Sequence, residues 1–355
     1  MLRATALGRV SVLALLVCSS LDCVAEPSGA SASTKLDREL VPGLRLLAAE
    51  PAEDDGHLVE TLVHEGYVYT ANSLGIVTMR LDEGGGLTMT DNGKQAAGQW
   101  TSCTTIAIHR SSDTLYCGSD GPSQGNPRVE IYDLADPAAP TLREPLPLES
   151  WAVRNLHVVD DTLLIHQFDA GLWTAQIDAR GDLSALTRTA VEGNIRFSVR
   201  VGESLVSAFA DVEGSGTELR VLEPSSLVEL DRLALDGPPL GLSADEEGRP
   251  TVVVALGSGG LAIVDLDGDR LALRQTLSPP AVVSHGLIDG AVAYAITLSG
   301  AFVYDLAGAS PRLFGFGPES SGAFKRSGTM LHAVLHEGEL LTSDWTWMQR
   351  WAVEP

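Results

Sequence analysis

A short apolar strand recurs seven times along this 355-residue chain, and that recurrence restricts the fold more than any other feature. The clearest copy is Gly260-Leu261-Ala262-Ile263-Val264-Asp265-Leu266, reached through glycine and left through an acidic turn. The others fall at 75–81, 129–134, 171–177, 218–222, 300–306 and 348–353. Their closing apolar residues, from Leu81 to Val353, are separated by 53, 43, 45, 44, 40 and 47 residues. The long first step coincides with an insertion, Gly121-Pro122-Ser123-Gln124-Gly125-Asn126-Pro127. Two runs precede each copy, joined by a tight acidic or glycine turn. Residues 58–64 turn at Glu65-Gly66 into 67–70, and residues 331–336 turn at Glu337-Gly338 into 339–342. A fourth run often follows, as at 271–277.

Four strands per repeat with a period in the forties is the pattern of a β-propeller blade. One four-stranded sheet cannot cover both of its apolar faces. Stacking blades around an axis buries them and leaves only short edges. No window of 12 or more residues carries a sustained helical period, and Gly, Asp, Ser and Pro interrupt every run. The expected fold is all-β: a single seven-bladed propeller of four-stranded antiparallel blades over residues 41–355. The last blade reaches the end of the chain before its fourth strand. The strand-like run at 44–49 is therefore expected to pair with 348–353 and close the ring.

The repeated strand resembles the LVIVD-repeat family of bacterial exported propellers, whose core reads roughly Gly-Leu-x-Ile-Val-Asp-Leu. Residues 260–266 match it most closely. Residues 300–306 and 129–134 match in part, while 171–177 and 218–222 lack the Asp. The resemblance spans 41–355 and rests on a packing motif. It implies an exported binding or surface protein, and it carries no shared catalytic residues.

The first 25 residues read as an export signal. Arg3 and Arg9 precede the apolar run 10–17, and Ala25 offers a cleavage site before Glu26. That run is too short to span a bilayer as a helix. Cys18 and Cys23 allow an alternative in which a lipid anchors the protein to a membrane, although Val17 and Asp22 stand where a lipoprotein signal wants a small residue. Residues 26–40 read as a flexible linker. An extracytoplasmic chain with Cys103 and Cys117 remaining is expected to form a disulfide between them. The formal net charge of -23 argues against nucleic acid as partner. A monomer that binds a protein, or a small polar or carbohydrate ligand, is the expectation.

Propeller ligands meet the face where second strands turn into third strands. Those turns are expected to hold Asn72, Asp120, Asp169, Asp211 and Asp344. Such residues stabilise turns through their own backbone; the alternative is a ring of oxygen ligands suited to Ca²⁺. No other cofactor is expected. His57, Arg154, Arg196, His285, Lys325 and Arg326 fall near the starts of inner strands, where mixed charge could grip a polar ligand or simply solvate the rim. Trp345 and Trp347 flank the last such turn and offer either inter-blade packing or an aromatic contact. Metal-ligand spacing, a Gly-x-Ser-x-Gly elbow and a nominable triad are all missing from the sequence. The leading function is a non-enzymatic binding module. The alternative is a metal-dependent hydrolase of lactonase type, with its site in the central channel.

Overall fold

The computed structural model describes residues 44–51, 58–72, 75–92, 102–119, 127–148, 153–167, 171–211, 214–245, 250–308, 310–318, 330–344 and 347–354. Seven antiparallel sheets follow one another along the chain. Blade 1 spans 58–91, blade 2 103–147, blade 3 153–188, blade 4 194–236, blade 5 241–277 and blade 6 283–318. Blade 7 takes three strands from 330–353 and its outer strand from Leu44–Pro51. That strand runs antiparallel to Trp347–Val353, with Leu44 opposite Val353 and Pro51 opposite Trp347. Each inner strand touches the inner strands on either side, so the seven close a ring around the axis.

The repeated motif supplies the third strand of every blade. Its opening glycine has a steric cause. Gly75, Gly171, Gly260 and Gly300 sit at φ 135°, 81°, 91° and 131°, a region that side chains disfavour. At Gly260 a Cβ would also lie 2.1 Å from the Leu277 carbonyl oxygen of the outer strand. The turns between first and second strands behave as their composition suggests. Glu65-Gly66 and Glu337-Gly338 both place two successive residues at positive φ, as a tight two-residue hairpin turn requires.

Two blades depart from the regular pattern at their outer edge. In blade 2 the outer strand is split into 141–142 and 146–147, because Pro145 and Pro147 have no N–H to continue the ladder. In blade 3 it shrinks to Thr187–Arg188.

The core is a set of seven apolar clusters, one at each junction between blades. The strand 261–266 has Leu261 and Ile263 in the junction with blade 6 and Ala262, Val264 and Leu266 in the junction with blade 4. Its alternation therefore serves two interfaces at once. The junctions are unequal. Twelve buried residues pack between blades 4 and 5, but only seven between blades 3 and 4, where just Val191 and Leu227 add partial cover.

Cys103 and Cys117 form a disulfide between the inner and second strands of blade 2, with Cα atoms 5.7 Å apart. Closing a loop of this size stabilises by roughly 3 kcal/mol in the chain-entropy model. Replacing both cysteines with alanine is expected to lower the melting temperature by several degrees, measured by differential scanning calorimetry. An unchanged melting temperature would show that the bond adds nothing.

Candidate functional site

Six of the seven inner strands carry a register shift within their first few residues. Each shift is a bulge of the kind that re-aims side chains. It places Thr104, Arg154, Arg196, Ser284 and Leu331 at equivalent positions on the face that carries the second-to-third turns. Thr104 and Ser284 use their hydroxyls alike, donating to Gly118 O at 3.0 Å and Ile296 O at 3.2 Å in their own blades. Arg154 and Arg196 occupy this position on neighbouring blades, 3 and 4.

The residue after the bulge forms a belt around the axis. Glu60 Oε2 accepts a hydrogen bond from Ile106 N of blade 2 at 3.0 Å. Thr105 Oγ1 accepts from Leu156 N of blade 3 at 3.1 Å. His332 Nδ1 accepts from Thr61 N of blade 1 at 3.3 Å, and the ring of His285 lies against that of His332 with centroids 4.0 Å apart. Blades 1, 2 and 7 thus each bind the backbone of the next blade. Burial pushes the Glu60 carboxyl up to about 7, against hydrogen bonds from Thr105 and Ile106 that favour its charged form. Burial holds His285 down to about 4, partly offset by a hydrogen bond with the Ala333 backbone. Burial, reinforced by His285, holds His332 well below the usual imidazole range. These histidines are neutral at pH 7.

The junction between blades 3 and 4 differs. His166, on the second strand of blade 3, is fully buried and meets Ser198 Oγ of blade 4 through Nε2 at 3.3 Å. Ser198 in turn pairs with Ser207 at 2.7 Å. Desolvation takes His166 down to about 3, with the Arg196 backbone opposing and His157 reinforcing the shift. Desolvation alone takes His157 to about 4. Among the described residues, seven buried side-chain nitrogen and oxygen atoms have no hydrogen-bond partner. Three of them are His157 Nε2, His166 Nδ1 and Arg196 Nε. All three belong to the two innermost strands of blades 3 and 4. Such atoms are costly and rare in native proteins, and each calls for a cause such as strain, a functional role or a bound water or ion.

Two clefts open at the same junction. One, of about 540 Å³, lies on the turn face between Gly171, Asn194, Ile195 and Asp211, with Glu218 and Arg220 in its wall. The other, of about 870 Å³, lies between blades 3 and 4 where the outer strand of blade 3 is short, and includes Thr174, Thr189, Arg200 and Leu227.

Of the residues nominated from sequence, Asn72 and Asp344 end second strands on the turn face and Asp211 directly follows one. Two of these carboxylates serve their own turns. Asp211 accepts from Ser215 N at 2.7 Å and Ser215 Oγ at 3.1 Å. Asp344 accepts from Trp347 N at 2.6 Å. Arg154, Arg196 and His285 lie on inner strands as expected, and Trp347 is half-buried. His57, Asp120, Asp169, Lys325, Arg326 and Trp345 lie outside the described residues. Sequence reading missed Glu60, His157, His166 and His332. Aligning the inner strands at their bulges would have found Glu60 and His332, whereas His166 lies on a second strand, outside that alignment.

Among the described residues, one group of three metal-ligand side chains has donor atoms within 4.8 Å of one another: His64, Glu65 and Asp113. It lies on the opposite face. His64 Nε2 is paired with Asp113 at 3.1 Å, and the Arg110 guanidinium stands 3.4 Å from His64 Nδ1. That cation and that pairing oppose a metal there. His109 and Asp161 repeat the pairing one blade on, at 3.2 Å, as a link between blades.

No protein-family model matches this chain, and no curated protein does. Solved structures do. A chain in the crystal structure of the mitotic checkpoint complex superposes with a TM-score of 0.63 at 11% identity, over 86% of this chain and 95% of that one. The WD40 β-propeller domain of Doa1 superposes with a TM-score of 0.62 at 11% identity, over 88% of this chain and 98% of that one. At such identity the likeness establishes the fold: a seven-bladed β-propeller.

Proposed function

We propose that this protein is an exported, non-enzymatic binding propeller that takes its ligand on the turn face, at the mouth of the junction between blades 3 and 4. The concentration of unpartnered buried polar atoms there carries the reading. A stable fold normally satisfies such groups, and a ligand that satisfies them gains both affinity and specificity. The thin packing of that junction and the cleft at its turn-face end leave room for one. Export rests on the charged-then-apolar leader and the resemblance to exported propellers, with a lipid anchor as the alternative end to the leader. One structural neighbour is drawn from a protein complex, which is consistent with a partner role for this fold. A hydrolase would need several ligand side chains converging on the axis, whereas the axial belt spends Glu60 and His332 on backbone hydrogen bonds.

A thermal-shift screen of sugars, peptides and small polar molecules tests the site. Ligands that raise the melting temperature of the wild type are expected to lose that effect in His166→Leu and Arg196→Ala. A ligand that stabilises both variants as well as the wild type places binding elsewhere and defeats the proposal.

A further inference from the structure

Arg196 is out of keeping with the rest of the molecule. The chain has 47 acidic residues against 24 lysines and arginines. Part-buried arginines away from the bulges of blades 3 and 4 are paired with carboxylates: Arg128 with Glu130 at 2.7 Å, Arg143 with Asp182 at 3.2 Å, and Arg220 with Glu218 at 2.6 Å. Arg200 is paired with Asp160, and Arg350 with Glu339. Arg196 is also part-buried, its Nε is fully buried, and no described residue supplies it with an acceptor. Desolvation without a compensating anion weakens its hold on the proton. A buried cation without a partner destabilises a fold, and a chain this acidic had many ways to supply one.

We infer that Arg196 is a ligand-binding residue whose missing partner is a carboxylate of the ligand, held through the guanidinium edge that includes Nε. The inference rests on the binding site proposed above and names its chemistry. A guanidinium presents a planar fork that matches a carboxylate with two parallel hydrogen bonds. The unpartnered Nε lies on one such edge. The surrounding groups fit a ligand of low charge. His157 and His166 are neutral at pH 7, and each brings one further unpartnered ring nitrogen. Position supports the same role. Arg196 is the extra residue of its bulge, and the residues before it, Asn194 and Ile195, line the 540 Å³ cleft. The strongly negative surface makes the site selective, because it repels anions everywhere that a specific cation does not hold them.

The test uses the folded chain after the leader, with glutarate as probe, glutaramide as its neutral counterpart and inorganic phosphate as a non-planar anion. Isothermal titration at pH 7 is expected to show saturable binding of glutarate to one site, at least tenfold tighter than glutaramide or phosphate. Arg196→Gln is expected to abolish it. Arg196→Lys, which keeps the charge and loses the fork, is expected to weaken it at least tenfold. Stability gives an independent readout. Without ligand, Arg196→Gln is expected to raise the melting temperature, since it removes an uncompensated buried cation; a merely structural arginine would lower it. A lower melting temperature in Arg196→Gln, or glutarate binding equally to wild type and Arg196→Gln, overturns the assignment. So does the absence of glutarate binding. If glutaramide or a sugar binds and Arg196→Ala abolishes that binding, the site stands and the carboxylate assignment fails. Stronger binding of phosphate than of glutarate also fails it.

Discussion

Deleting residues 26–51 should cost the propeller much of its stability. Leu44–Pro51 is the outer strand of blade 7, and its removal leaves Trp347–Val353 as an unpaired edge. It also removes Leu44, which is buried between blades 6 and 7, and Leu46 and Ala48, which pack at the junctions on either side. Burial of one leucine is worth about 1.5–3 kcal/mol. Losing the strand pairing and the joining of the chain ends adds to that, since the clasp is the covalent reason that blade 1 cannot drift from blade 7. A loss of roughly 4 kcal/mol or more is expected, a large share of the 5–15 kcal/mol typical of a domain. Leu44→Glu should reproduce part of the effect in a full-length chain. Arg45→Ala should do little, because its pair with Glu354 is exposed. Unchanged melting in both the deletion and Leu44→Glu would mean that the ring closes without its clasp.

Stability should also fall steeply as pH drops from 6.5 toward 5. His157, His166, His285 and His332 are held neutral by burial, two of them at about 4 and one at about 3. In the unfolded chain they take up protons near pH 6.5. Between pH 6.5 and about 4 the unfolded state therefore binds more protons, and stability declines as pH falls. Glu60 works the other way. Its folded-state value, raised to about 7 from 4.5, makes it a stabilising group at low pH whose contribution is lost as pH rises from 4.5 through 7. Four histidines against one glutamate leave a net slope of up to about 4 kcal/mol per pH unit, at about 1.4 kcal/mol for each proton. The range above pH 5 is diagnostic, because ordinary carboxylates stay ionised there. Urea unfolding at pH 7.0 and 5.0 is expected to show a much lower midpoint at pH 5.0 with a similar m-value. Glu60→Gln should gain stability over the wild type at pH 8 and lose that gain at pH 5. Equal midpoints at pH 7.0 and 5.0 would contradict the burial of these histidines.

The blade pattern was legible because one strand recurs with its turns. The Glu-Gly turns, the entry glycine and the alternation of 261–266 each reflect a local requirement, namely positive φ or burial on two faces. The clasp was legible by elimination, since blade 7 lacked a strand and 44–49 had no other place. The site was legible only in part. Arg154, Arg196 and His285 were found because they start inner strands. The belt and the junction of blades 3 and 4 were not, because bulges shift register by one residue and conceal which positions are equivalent. His166 looked like any strand histidine in Leu163-Leu164-Ile165-His166-Gln167. Its burial depends on Ser198, 32 residues away on the next blade. Charge gave no warning either, since an unpaired arginine is defined by what surrounds it in space.

The most direct test of the proposed site observes Arg196 itself. In an arginine Nε–H correlation spectrum, assigned with Arg196→Lys, glutarate is added at pH 7. The Arg196 resonance is expected to shift saturably and to sharpen, with a dissociation constant equal to the calorimetric one, while resonances of paired arginines such as Arg128 and Arg350 stay in place. An Arg196 resonance that does not move at saturating glutarate, or a uniform drift of all arginines, would contradict a ligand site between blades 3 and 4.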